Sequence, residues 1–413
     1  MPDDGTDDNC NGQPADGTDC EELRPGHRLD HARKSLHVRR PEGVLSPFAV
    51  ARGKGLGAMP ADELWEDVNR LLERLTPELA AEHGLGPLEA RRLRRAGEEV
   101  PNRLLREERA GRTASLITPT LLKRAREAYD GPLLVLKGPE LTARYPDGAR
   151  RFGDLDLVAG DAEEAQAALL AAGFRLEDRP KWPPRGYDDV RRPHYHLHPL
   201  EWPGLALRIE VHKHVKWPDG LKPPSNEELF EAAAPSTVAV EGLVAPHPHH
   251  HAVLLVSHAW GEVPMQKLRQ LVDVLAFIDD DERGELRRLA ARWQIERGWE
   301  STLAVADWLV HGEPEPRLVG VWARYLRDLR EPNVFEMHVQ EWLSPFWLTT
   351  PIVAARKAFQ AVLRDLRPEP DQTWGGKLRQ TIRAVTHPKS STTEHYVRSG
   401  YRRSATGRWT RNP

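Results

Sequence analysis

Cysteine is nearly absent from this chain. Of its 413 residues two are cysteine, Cys10 and Cys20, both near the start, so no disulfide framework braces the rest. Long apolar runs are missing as well. None approaches the ~20 residues that a membrane-spanning helix needs, and no basic, apolar leader opens the chain. These absences exclude a disulfide-stapled secreted scaffold and a helical membrane protein, and they predict a cytoplasmic location. Basic residues are lacking at the front: residues 1–22 hold eight acids and no Lys or Arg. Acids are scarce at the back, where Lys377–Pro413 carries nine Lys or Arg and one acid, Glu394. Tails of opposite sign solvate a chain or recruit a partner.

With 39% hydrophobic and 29% charged residues over 413 positions, the chain is long enough for two or three domains. The reading divides it into an acidic, disordered tail and linker (1–58), a helical segment (59–130), an α/β core (131–245), a C-terminal helical domain (246–370) and a basic flexible tail (371–413). The tail's echo, Asp4-Gly5-Thr6-Asp7 and Asp16-Gly17-Thr18-Asp19, lacks the spacing of a calcium loop and reads as low complexity. Pro60 opens a helix in which Leu64, Val68, Leu71, Leu72 and Leu75 form one apolar stripe. Further helices are expected over Pro87–Glu108 and Pro119–Tyr129, with the arginines of Arg91–Arg95 on a solvated face.

The pattern then changes. Leu133–Leu136 is short, apolar and bounded by Gly131-Pro132 and Gly138-Pro139, which predicts a buried strand. A short helix follows over Glu140–Tyr145. In Asp154-Leu155-Asp156-Leu157-Val158, apolar residues alternate with aspartates, so Asp154 and Asp156 share one face of a strand about 7 Å apart. Paired carboxylates suit hard divalent cations. The bland alternative is a turn residue and an edge-strand gatekeeper, offset by Arg150 and Arg151. Asp161–Gly173 reads as a helix with Asp161 at its N-cap and Gly173 at its C-cap. A glycine entering a helix start favours phosphate, which makes Lys137 and Gly138 candidates to steady a phosphate group.

Arg175–Val215 supplies the remaining strands around a Pro/Arg-rich loop, Pro180–Pro193. It holds a histidine cluster, His194, His196, His198, His212 and His214. Alternating histidines on a strand make a candidate zinc constellation, and Glu210 and His212 share a face on the strand Leu207–His212. Pro246–His251 (PHPHHH) reads as a loop leading into a helix, with adventitious metal binding as its other reading. Helices are expected over Ala252–Trp260, Met265–Ile278, Leu286–Val310, Pro316–Leu329 and Pro351–Leu366.

An apolar strand, Lys-Gly, a helix-length spacer and Arg-x-x-x-Asp-x-Asp, here Lys137, Gly138, Arg150, Asp154 and Asp156, resembles a bacterial nucleotidyltransferase-like family of the DNA polymerase β-like superfamily. Glu210 and His212 resemble its apolar-Glu-apolar-His segment, and His258 and Asp273 fall where it has a helical His and Asp. The resemblance spans roughly Ala125–Ile278. It departs where Pro139 replaces the superfamily's Ser, so no hydroxyl is available there. The resemblance implies an α+β fold with a small mixed sheet, flanked by helical segments and tails. It implies that Asp154, Asp156 and Glu210 bind two Mg²⁺ ions (or Mn²⁺) and an NTP, ATP first among the four. Arg150 would pair with a phosphate or an aspartate, and His196, His212 and His258 would line the pocket. Asp273, with Arg269 one turn before it, would fix the helical cap over the site.

The expected function is Mg²⁺-dependent transfer of an NMP to a hydroxyl of a small molecule, peptide or protein. Two alternatives stand beside it: a degenerate module that binds a nucleotide or partner without transfer, and a zinc hydrolase ligated by His196 and His212. The basic C-terminal tail, with Tyr396, Tyr401 and Trp409, is a candidate RNA or protein contact.

Overall fold

Residues 62–177, 195–261, 264–330, 332–368, 373–386, 401–403 and 409–411 are described by the structure, a computed structural model. The acidic stretch with both cysteines, the loop Pro180–Pro193 and His194 lie outside the described residues.

Four helices come first: α1 (Asp62–Glu73), α2 (Pro77–Glu82), α3 (Gly86–Ala96) and α4 (Asn102–Ala128). The apolar stripe of α1 is buried from Leu64 through Leu72, and Leu75 just beyond the helix is buried with it. The expected helix over Pro87–Glu108 is two. Gly97, at φ +75°, ends α3 in the left-handed conformation that glycine adopts without a Cβ penalty. Pro119 does not start a helix but lies inside α4. Arg92 and Arg94 are bonded to Glu89 and Glu108 (2.8 and 2.7 Å).

The sheet follows, with strands β1 (Leu133–Leu136), β2 (Asp154–Ala159), β3 (Arg175–Leu176), β4 (Leu200–Glu201), β5 (Arg208–His212), β6 (Ala234–Pro235) and β7 (Leu243–Ala245). Helices α5 (Gly138–Thr142), α6 (Ala162–Ala171) and α7 (Asn226–Glu231) connect them. Asp161 caps α6 by accepting the Glu164 N–H (2.9 Å). The strand order is β3-β4-β5-β2-β1-β7-β6. The central strand β2 runs antiparallel to β1 and parallel to β5, which makes the sheet mixed.

Helices α8 (Pro248–Trp260), α9 (Leu268–Leu275), α10 (Arg283–Arg292) and α11 (Glu296–Ala306) come next. The run expected as one helix over Leu286–Val310 breaks at Trp293–Ile295 and ends in a π-turn, Asp307–His311. The chain continues through α12 (Arg317–Trp322), α13 (Arg324–Arg327), α14 (Val334–Leu343), α15 (Pro345–Leu348), α16 (Pro351–Leu366) and α17 (Trp374–Thr386). Within the stretch expected to be a flexible tail, α17 and a two-stranded ribbon, β8 (Tyr401–Arg403) with β9 (Trp409–Arg411), are described.

Period-two alternation gives the sheet two buried faces. Val135, Leu155, Leu157, Ile209 and Val211 join α4 and α6 in one core. Leu134, Leu136 and Val158 join α1, α8 and α9 in a larger one. Asp154 and Asp156 are on the second face, beneath the helices that follow the sheet. Among the described residues no helix is long and apolar enough to cross a membrane.

Candidate active site

The site begins with strand register. Asp154 of β2 lies opposite Arg208 of β5, and Asp156 opposite Glu210; on the other side Leu136 of β1 lies opposite Asp156. Alternation therefore places Asp154, Asp156, Arg208, Glu210 and His212 on one face. The end of β1 delivers Lys137 to the same place. The expected aspartate pair, Glu210 and His212 thus come together.

Lys137 Nζ is 3.0 Å from Asp156 Oδ2, and His212 Nε2 donates to Asp156 Oδ1 (2.9 Å). Arg208 bridges the other two carboxylates, with Nη2 3.9 Å from Asp154 Oδ2 and Nη1 3.8 Å from Glu210 Oε1. It also lies 3.5 Å from Glu177 Oε2. Asp156 and His212 are buried, whereas the Asp154 side chain is 43% exposed at the mouth.

These charges act on one another. Burial and then the charges of Asp154 and Asp156 push Glu210 up to about 7. Desolvation in the cleft, followed by the Asp156 charge, raises Asp154. Burial also works against ionised Asp156, but Lys137, the His212 hydrogen bond and the charge of His258 outweigh it and hold that carboxyl well below its usual range. Asp156 is the fixed anion, and Glu210 shares the proton that crowding imposes.

Atoms of Asp156, Glu210 and His212 lie within 4.8 Å of one another, close enough to ligate one ion. The two carboxylates among them are hard oxygen donors that suit a divalent cation, and the raised Glu210 reflects three carboxylates that Lys137 and Arg208 neutralise only in part. The donor set therefore fits a metal.

The β1–α5 turn carries local strain. Lys137 has φ +46° and ψ −132°, a region that non-glycine residues visit rarely. Its N–H donates to Nε2 of His251 (3.2 Å) on α8. His251 is buried, and burial with nearby Arg144 and Lys137 lowers it to about 3, so it stays a neutral acceptor. Gly138 follows at φ +33°. Pro139 has no N–H, and the N–H groups of Glu140 and Leu141 already donate to the Lys137 carbonyl (2.8 and 3.3 Å). A phosphate here meets fewer amide donors than a helix start usually offers.

Several expected residues stand elsewhere. Arg150 is buried and donates through Nε and Nη2 to both oxygens of Asp273 on α9 (2.8 and 2.9 Å), not to Asp154 or Asp156. Tyr145 donates to the same carboxylate (2.7 Å), and Arg269 Nε lies 4.0 Å from it. Asp273 thus ties α9 to the segment between α5 and β2 through Arg150 and Tyr145, whereas Arg269 lies on α9 itself. The histidine cluster divides, because Tyr195–His198 is not a regular strand and pairs through one bridge, His196 to His212. His196 Nε2 is 3.8 Å from Glu210. The His198 and His214 rings donate instead to the Pro199 and Val215 carbonyls (3.0 and 2.9 Å). His258 lines a narrow pocket beside Lys137, His212 and Lys216.

Sequence reasoning missed Arg208 and His251. The signal for Arg208 was available, since positions 208, 210 and 212 share a face of β5. His251 is hidden in the sequence because Pro246–His251 predicts a loop leading into a helix, whereas Pro248 opens α8 at a first-turn position where proline is at home.

Comparisons with curated proteins and with solved structures returned no match. A family model described as uncharacterised nucleotidyltransferase matches residues 73–311, which contain every residue of the cleft and more than half of the chain. Nucleotidyl transfer is the general activity that this match supports. The chain belongs to that uncharacterised nucleotidyltransferase family.

Proposed function

We propose that the protein is a Mg²⁺-dependent nucleotidyltransferase that moves an NMP from an NTP, ATP first among the candidates, to an acceptor hydroxyl. The observation that carries this reading is the register of β2 with β5. It stacks Asp154, Asp156 and Glu210 on one face, beside a lysine delivered by β1. Asp154, Asp156 and Glu210 would hold the ions, with His212 supporting Asp156 from behind. Two Mg²⁺ ions, or Mn²⁺, bound there would neutralise charge on the attacking and leaving oxygens of the α-phosphoryl group. In the transfer, the acceptor hydroxyl would give up its proton to solvent, its oxygen would bond to the α-phosphorus, and the bond from that phosphorus to the bridging oxygen would break, releasing pyrophosphate.

The chain's own groups mainly position. Lys137 is close enough to Asp156 to exchange that partner for a phosphate oxygen once the aspartate has another cation. Arg208 bridges Asp154 and Glu210 and screens their mutual repulsion. Arg150, bound to Asp273, acts at one remove by fixing α9 over the cleft rather than by touching nucleotide. His196 and His258 flank the carboxylates where an acceptor would enter.

A second reading, a module that binds nucleotide or partner without transfer, rests on Pro139 and on the amides of Glu140 and Leu141 already engaged by Lys137. Mn²⁺ binding followed by electron paramagnetic resonance, with a non-hydrolysable NTP present, tests the main reading. Wild type should bind two ions per chain and Asp154→Asn/Asp156→Asn should lose them. Equal Mn²⁺ binding by both would overturn the assignment. Pyrophosphate release then separates transfer from binding alone.

A further inference from the structure

Helix α16 is amphipathic in the reverse sense. The residues it buries are the small Ala354 and Ala361, while Ile352, Phe359, Leu363 and Leu366 form a stripe of large apolar side chains on the opposite side. That stripe is open to solvent, with Ile352 85% and Phe359 62% exposed. Helix α17 adds Trp374 and Leu378, 68% and 61% exposed, and both helices pack on α14. We propose that this face is the interface of a homodimer, in which α16 packs antiparallel against α16 of a second copy about a two-fold axis at Phe359.

The face is fixed outward. His338 Nδ1 and Trp342 Nε1 of α14 donate to Asp365 Oδ2 (2.9 and 2.8 Å), and Arg364 is bonded to Glu341 of α14. These ties hold α16 with its alanines against the fold, so the stripe has no route inward. Its size matches a partner. At ~200 Å² for a fully exposed large apolar side chain, the six residues and Val353 leave on the order of 800 Å² open. The largest apolar patch of a monomer is typically ~300–600 Å², whereas a stable interface covers about 800 Å² on each partner.

The spacing suits a second copy. Ile352, Phe359 and Leu366 recur every seventh residue, an advance of two turns and about 10 Å each time. The pattern reads the same in both directions from Phe359. An antiparallel partner therefore sets Ile352 against Leu366 of the second copy, Phe359 against its own counterpart, and Leu366 against Ile352. This is the self-complementary contact that two-fold symmetry requires. Charges obey the same axis. Arg356 falls opposite Val362, Arg364 opposite Ala354 and Asp365 opposite Val353, so no like charges meet.

The acidic start of the chain does not provide this cover. Its carboxylates could offset the bases beside the stripe, but residues 1–22 contain no Leu, Ile, Val, Phe or Trp and could not take the apolar surface out of water.

Sedimentation equilibrium of the full chain over a wide range of concentration tests the interface. Wild type should sediment as two chains of 46.7 kDa each. Phe359→Glu brings two carboxylates together at the axis and should weaken association by about a hundredfold, the scale of a like-charge clash. Its helix content, read by circular dichroism, should not change, because the side chain is exposed. Ile352→Glu and Leu366→Lys should each weaken association too. Combined in one chain, Ile352→Glu/Leu366→Lys should regain about tenfold over either alone, since opposite charges then meet at both ends of the helix pair. The two positions lie ~21 Å apart within one helix, so that rescue can only be between chains. A dimer indifferent to Phe359→Glu, or no rescue in the combined variant, overturns the proposal. A wild type that stays monomeric overturns it as well, and binding of that monomer to phosphatidylserine vesicles would assign the face to a membrane surface instead.

Discussion

Glu210 carries the charge imbalance of the cleft, and its titration should govern metal uptake. Its carboxyl is pushed up to about 7 by burial and two aspartates, so below that pH a proton must leave before a cation binds. Apparent Mg²⁺ affinity should therefore rise about tenfold per pH unit up to pH 7 and level off above it. Glu210→Gln should flatten that dependence, as titration calorimetry across pH would check; an unchanged profile would place the titration elsewhere. At His251 the sign runs through folding. Its folded value is about 3, against an ordinary value of about 6.5, so the unfolded chain takes up the proton first as pH falls. The stability it supports is complete above about 6.5 and is lost toward pH 3. His251→Gln should make the urea midpoint fall less steeply across that window, unless the imidazole is charged in the folded state.

At the scale of elements, α9 is tied to the segment between α5 and β2 by Arg150, Asp273 and Tyr145, all buried. Removing one partner strands a buried charge. Asp273→Ala should cost about 3–5 kcal/mol in chemical denaturation, and Arg150→Met/Asp273→Leu should recover much of it. A loss below about 1 kcal/mol would show that water reaches the pair. The sequence placed Arg150 four residues before Asp154 and so suggested a common task. It could not show the path of the loop, which turns the guanidinium toward a residue more than a hundred positions later. Strand β2 was legible because Asp-Leu-Asp-Leu has a period that no helix shares. Its partner β5 was legible for the same reason, as Ile209 and Val211 alternate with Glu210 and His212. The start of α8 was not, since three consecutive histidines carry no apolar period.

Across the whole molecule, the sheet separates two cores, and the cleft opens where one of them gives way to charge. An α+β fold with a mixed sheet was readable from the change from 3.6-residue to two-residue periodicity after Gly131. Helix boundaries were less so, because Gly97 and the Trp293–Ile295 break interrupt runs whose apolar spacing continues on either side. Tertiary burial decided those ends. The fold builds one face where three carboxylates meet a lysine, and the proposed transfer requires that a nucleotide bind there with metal. The most direct measurement is the thermal unfolding of wild type and Asp154→Asn/Asp156→Asn with each of the four NTPs, with and without Mg²⁺. At ~100 times the dissociation constant a ligand stabilises the folded state by about 2.7 kcal/mol. Wild type should show a Mg²⁺-dependent rise in Tm with at least one NTP, and the variant should show none. An equal rise in both proteins, or no rise in well-folded wild type, would contradict it.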